Sequence, residues 1–188
     1  KKVSQINCDR HIWIDSFSPG ERVHGTISEQ LKTLSTQIPE ICKKTNKCKN
    51  IRTQKLPSGV QMTLTQIDKI FDVLPKDGNL LVFGLGYDST FWNQTTCGHV
   101  VFIEDNDVWI KKIKGEFGWL EVEKVHYNTH LADSYSKYMN QPDLWHELSL
   151  ALPLSIKSIE WDVIIVDAPC GNSNNCPGRY GSIYTSKT

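Results

Sequence analysis

Three carboxylates between residues 88 and 167 stand where an α/β protein places its chemistry. Asp88 lies in "LLVFGLGYDSTFW" (80–92), just after an apolar run that stops at Gly84-Leu85-Gly86. Glu104 follows Gly84 by twenty residues and closes a second apolar run, "HVVFIE". Asp167 closes a third, "WDVIIVDAP". Two glycines after a strand let the backbone approach a ligand closely. An acid at the end of the next strand accepts hydrogen bonds from ribose hydroxyls. The pair suits a dinucleotide or another adenosine-containing cofactor. A tight turn and a strand-end acid in solvent are the plain alternatives.

Asp88 separates the two cofactor classes. A pyrophosphate rests on the helix N-terminus beside such glycines, and a carboxylate ~4 Å away opposes it by about 4 kcal/mol in a partly desolvated pocket. S-adenosylmethionine carries a sulfonium and an ammonium and no phosphate, so the same acid attracts it. Asp88 also suits the cap of the helix that follows, a role compatible with cofactor binding. Asp167 then faces the transferred group. An alcohol that accepts a methyl must lose its proton, and Asp167 is placed to take it, alone or through a divalent metal. The alternative is a strand-end Asp turning with Pro169. Arg179 in "CPGRYGSIYTS" can clamp a carboxylate in bidentate fashion, or simply sit on the surface. His126 and His130 flank "YNT" (127–129) and, with Tyr127, are candidates for substrate binding or base chemistry. Trp109 is either an adenine contact or a core aromatic.

These residues need a scaffold of alternating strands and helices. Thr63 and Gln66 have capping-box spacing ahead of Leu64, Ile67, Ile70, Phe71 and Leu74, which share one helical face. Strands are predicted at 80–83, 99–103, 122–126 and 161–166. Helices are expected near 89–94, through Trp109, Ile110 and Ile113, within 131–152, and after Arg179. Short, almost continuous apolar strands between helices imply a parallel sheet covered on both faces, with ligands beyond its carboxyl ends. Upstream, 26–38 reads as a short helix and 1–25 has no period.

With 188 residues, 39% hydrophobic and 22% charged, the chain is a globular protein of about one domain. Lys+Arg and Asp+Glu both total 21, so there is no basic surplus of the kind nucleic-acid binding requires. The longest apolar run, "VIIV", is too short to span a membrane. The chain opens on Lys1-Lys2 without Met and reads as an excised or processed piece. Cys42 and Cys48, like Cys170 and Cys176, are six apart in polar loops. They fit short-loop disulfides of an oxidising compartment or free thiols. Asn93-Gln94-Thr95 is a glycosylation sequon.

Taken in order, "NLLVFGLGYDSTFW", "VVFIEDNDVWIKKI", "VHYNT", "LALP", "EWDVIIVDAPCG" and "PGRYGSIYTS" resemble the polysaccharide-biosynthesis family of plant glucuronoxylan 4-O-methyltransferases. The resemblance covers residues 56 to 188, with 1–55 an N-terminal extension. It implies a Rossmann-like class I S-adenosylmethionine-dependent methyltransferase, α/β with a mostly parallel sheet and helices on both faces. It implies an enzyme of the Golgi lumen, held by a membrane anchor not present in this sequence, that methylates the 4-hydroxyl of glucuronic acid on xylan or arabinogalactan. By motif, Gly84, Gly86, Asp88 and Ser89 would hold the methionine part of the cofactor. Glu104, with Asp105 beside it, would hold the ribose, and Asn128 would lie near the adenine. Asp167 would stand at the reaction centre, and Arg179 would meet the glucuronate carboxylate. Tyr87 stands where the plant enzymes commonly have His, the "CGNSNNCPGR" loop is richer in Asn and Cys than expected, and the family continues beyond Thr188. A branch involved in xylan deposition lacks the intact glycine motif, which this chain keeps. The rival readings are an NAD-dependent oxidoreductase and a non-catalytic protein that binds glycan or a partner.

Overall fold

The apolar runs at 80–83, 100–104 and 163–166 alternate in register with two separate cores, and that alternation defines the architecture. The computed structural model describes residues 6–7, 12–13, 56–58 and 60–187. The chain divides into two compact units, 1–49 and 50–188. In the first, β1 (Ile6–Asn7) pairs antiparallel with β2 (Ile12–Trp13), Ile6 opposite Trp13. The helix expected at 26–38 lies outside the described residues.

The second unit is built on a parallel four-stranded sheet. Its strands are β3 (Leu80–Phe83), β4 (Val100–Glu104), β5 (Val122–Lys124) and β6 (Val163–Val166), in spatial order β5-β4-β3-β6. Leu80 aligns with Val100 on one side and Val163 on the other. Successive side chains on a strand point to opposite faces. Leu80, Val82, Val100, Phe102 and Ile165 enter one core, with α1 (Leu64–Val73), α2 (Ser89–Gln94) and α3 (Asp107–Glu116) packed on it through Ile67, Phe71, Trp92 and Ile113. Leu81, Phe83, Val101 and Ile103 enter the other, beneath Leu150, Leu152 and Ile156. Phe83, Val101, Phe102 and Ile103 are fully buried, and each such side chain contributes about 1.5–3 kcal/mol on leaving water. This is the Rossmann-like α/β arrangement expected.

The remaining elements are α4 (Leu131–Tyr138), a 3₁₀ helix (Pro142–Leu148), α5 (Leu154–Lys157) and α6 (Tyr180–Thr185). The capping box at α1 forms in both directions, Thr63 Oγ1 accepting from Gln66 N and Gln66 Oε1 from Thr63 N. Strand ends shift by a residue or two: β4 includes Glu104, β5 stops at Lys124 and β6 starts at Val163. The short α5, set off by Pro153, was not anticipated.

Candidate active site

From β3 the chain runs outward through β4 to β5, then returns to lay β6 on the other side of β3. The strand order therefore reverses between β3 and β6, the position at which such sheets open a crevice beyond their carboxyl ends. Gly84 and Asp167 flank that point. Asp167 N and Ala168 N both donate to Phe83 O, at 2.9 and 2.8 Å, while Gly84 N donates to Ile103 O at 2.8 Å. Three strand ends are thereby tied together. Gly84 has φ +127°, and a Cβ there would lie 3.1 Å from the Ala168 Cβ. The crossing of β3 into the loop has room only for glycine.

Two of the loop's N–H groups are committed inside the protein. Leu85 N donates to Glu104 Oε2 (2.9 Å), and Gly86 N donates to Ser89 Oγ (2.9 Å). Ser89 is buried, and its hydroxyl closes the turn. Glu104 is buried too, so the solvent-exposed alternative for this acid does not hold. Its Oε1 accepts from Asp105 N (3.1 Å) and Asn106 N (2.8 Å). Burial raises its pKa above the usual carboxylate value, and the backbone donors pull it back down. An oxygen with two lone pairs and one donor can accept once more, so Oε2 keeps an acceptor position.

Asp88 stands at the N-cap of α2 but makes no side-chain cap bond. Its Oδ2 accepts instead from Trp92 Nε1 at 3.0 Å, one helical turn on. The capping role is thus displaced by a bond to a buried indole. Burial raises the Asp88 pKa, the Trp92 bond lowers it, and the charge of Asp167 adds a smaller upward push. The two acids share one crevice. Trp92 is a site residue that sequence reasoning missed, although its i+4 spacing from Asp88 was a usable signal.

Asp167 is exposed, and its neighbour is Arg179. Arg179 Nη2 donates to Asp167 O at 2.6 Å and lies 3.8 Å from its Oδ1. The guanidinium expected to meet a substrate carboxylate is thus placed beside the candidate base. Its loop is fastened at several points: the Cys170–Cys176 disulfide, Leu131 N to Cys176 O (2.7 Å) and Thr129 Oγ1 to Pro177 O (2.9 Å). Cys97 is disulfide-bonded as well, and no described cysteine is free.

Beyond β5, residues 125 to 129 alternate between buried and exposed. The extended chain keeps its period of two past the last ladder residue. His126 and Asn128 face outward, whereas Tyr127 turns into the second core. There its hydroxyl pairs with Ser182 Oγ at 2.8 Å, and burial pushes its pKa up, so it stays protonated. The structure therefore buries the Tyr127 ring in the second core with its hydroxyl on Ser182. Ser182 also donates to Ala168 O (3.2 Å), a link across the chain that no local pattern announces. Asp105 is half-buried beside Glu104. His130 is exposed, with Nδ1 3.4 Å from Asn175 O. Trp109 packs on the first core and meets Tyr87 edge-on, ring centres 5.4 Å apart. Among the described residues no three His, Cys, Asp or Glu side chains gather as a metal-binding group, and no helix is long and apolar enough to cross a membrane. Asn93 of the sequon is buried in α2.

Residues 65–188 match the profile of a family described as IRX15/IRX15L/GXM. The chain is 38% identical over 141 residues to glucuronoxylan 4-O-methyltransferase 1 of Arabidopsis thaliana, covering 67% of this chain and 50% of that protein. It is 36% identical to glucuronoxylan 4-O-methyltransferase 2 of the same plant, covering 67% and 49%. Arabinogalactan O-methyltransferase 2 is 34% identical over 125 residues, covering 57% and 43%. The chain spans about half the length of the curated relatives it matches. No solved structure matches it.

Proposed function

The chain belongs to the IRX15/IRX15L/GXM family, and from that premise we propose that it is an S-adenosylmethionine-dependent O-methyltransferase acting on the 4-hydroxyl of glucuronic acid in a polysaccharide such as xylan or arabinogalactan. The carrying observation is the loop itself: its N–H groups at Leu85 and Gly86 are bound within the protein while Asp88 stands at its end. A diphosphate needs free N–H donors and no nearby acid. A cationic methyl donor does not depend on those two donors and is attracted by the acid. The residues fit the group, since Gly86 leaves open the space next to Asp88 that a Cβ, 3.0 Å from Oδ1, would fill.

In this reading Asp88 and the glycine loop hold the methionine part and Glu104 the ribose, with Asp105 and Asn128 near the nucleoside. S-adenosylmethionine, when bound, supplies an electrophilic methyl group. Asp167 takes the proton from the acceptor hydroxyl at its carboxylate, at the point where β3 and β6 part. Arg179 offers its guanidinium to the glucuronate carboxylate, and outward-facing His126 lines the approach. The glycan class comes from the relatives' names. A Golgi lumen location agrees with the disulfides at Cys97 and Cys170–Cys176.

The test is methyl transfer to glucuronoxylan, arabinogalactan and pectin, read by mass spectrometry. Methylation of the first two is expected; activity confined to a small molecule or a protein would overturn the substrate class. For Asp167→Asn we expect a kcat loss of about 100-fold or more with cofactor binding retained. Near-normal turnover would remove Asp167 from the base role.

A further inference from the structure

We propose that an aromatic groove beside Arg179 binds the run of neutral sugars that flanks the acidic sugar in the acceptor polysaccharide. The inference rests on the proposed function and extends it to how the polymer is held. Two cavities share Tyr180 and Ile183 as walls. One, of about 510 Å³, is bounded by Asn172, Gly178 and Arg179. The other, of about 370 Å³, is bounded by Met139, Trp145, Tyr184 and Lys187. Both volumes lie in the range of small-ligand sites, ~300–1,000 Å³. Because Arg179 contacts Asp167, the groove begins at the candidate base and leads away from it along α6.

Its chemistry selects the occupant. A pyranose ring presents C–H faces and a hydroxyl rim. Aromatic side chains pack on the faces with little loss of rotamer freedom, and Asn172 and the cations can serve the rim. The walls include Arg179 and Lys187 and no Asp or Glu, in a chain whose acids and bases are equal in number. With no acid in the walls, a polymer that carries acidic sugars meets no like charge as its neutral run enters the groove. Trp145 is held in place by its Nε1 bond to Tyr138 O (2.8 Å), so one aromatic wall is already ordered before a ligand arrives. Ile183 is 54% exposed between the two cavities, and a charge placed there meets the glycan rather than the core.

The experiment uses Ile183→Glu and Trp145→Ala, with glucuronic-acid-bearing oligosaccharides of increasing length. Direct binding is measured by calorimetry alongside methyl-transfer kinetics. In both variants Kd and KM for long acceptors should rise about fivefold or more. Those for the shortest acceptor should change less than about twofold, with kcat and S-adenosylhomocysteine affinity unchanged. Thermal melting checks that Trp145→Ala is folded, and Ile183→Glu stands alone if it is not. Effects equal at every length, or absent, overturn the groove. If the wild type binds long glycans through Ile183 yet methylates none, the catalytic reading falls and the groove stands. If it methylates them while Ile183→Glu leaves long-chain affinity untouched, the groove falls alone.

Discussion

Asp88 carries two opposed properties. Its carboxylate is partly buried, which raises its pKa, so ionising it costs the free protein stability. The same carboxylate is the partner a cationic donor needs. An acid with a raised folded-state pKa leaves the protein more stable once it is protonated. Asp88→Asn should therefore melt no lower than the wild type, since an amide oxygen still accepts from Trp92. Its affinity for S-adenosylmethionine should fall between about 10- and 100-fold, the worth of a charge-assisted contact. The pH profile has a definite sign. Wild-type affinity is full where Asp88 is ionised and is lost as pH falls through its raised pKa; the Asn variant stays flat over that window. Calorimetry from about pH 7 down to about pH 4 reads this, and parallel profiles would show that Asp88 does not face the cation. At this scale the sequence was informative about residue type and less so about orientation. The acid after the glycines was legible, and so was its conflict with phosphate. The inward turn of Tyr127 was less legible, since "VHYNT" keeps the strand's two-residue period after the ladder ends.

At the level of elements, the glycine loop, β6 and α6 form one mechanical unit. The loop after β6 leads through the Cys170–Cys176 bridge to Arg179, which returns to Asp167. The spacing of six left both a bridge and free thiols open, since the choice depends on how the loop folds back toward Thr129 and Leu131. Closing so short a loop is worth about 2 kcal/mol in the chain-entropy account. Cys170→Ser/Cys176→Ser should accordingly lower the melting temperature by several degrees and make that part of the melt insensitive to reductant. An unchanged melting temperature would show that the backbone bonds Leu131 N to Cys176 O and Gly178 N to Cys170 O hold the loop alone. Helix starts were the most readable features. The Thr63–Gln66 box follows from short-range chemistry, whereas the strand ends depend on partners far along the chain.

For the whole molecule, the two hints of a secretory history separate. The disulfides are present, but the sequon asparagine is packed inside α2 under the sheet. A glycan cannot occupy a position 4% exposed. Protein folded and secreted from a eukaryotic cell should therefore show an unmodified mass at Asn93 and no shift on glycosidase treatment. A glycan found there on active protein would contradict the packing of α2. The fold itself was visible in the sequence because its central strands are apolar on both sides, the pattern that only a doubly covered parallel sheet satisfies. The groove along α6 was not visible, because its walls come from α4, the 3₁₀ helix and α6, which have no common period.

The commitment of the loop's donors has a meaning for anyone wishing to redesign the cofactor. Neutralising Asp88 would remove the repulsion toward a diphosphate without releasing the two donors nearest the glycines. Leu85 N would remain on Glu104 and Gly86 N on Ser89. Freeing them means cutting the tie between the ends of β3 and β4 and the bond that closes the turn. In the proposed reading, cofactor choice rests on these internal bonds of the turn as well as on the charge of Asp88.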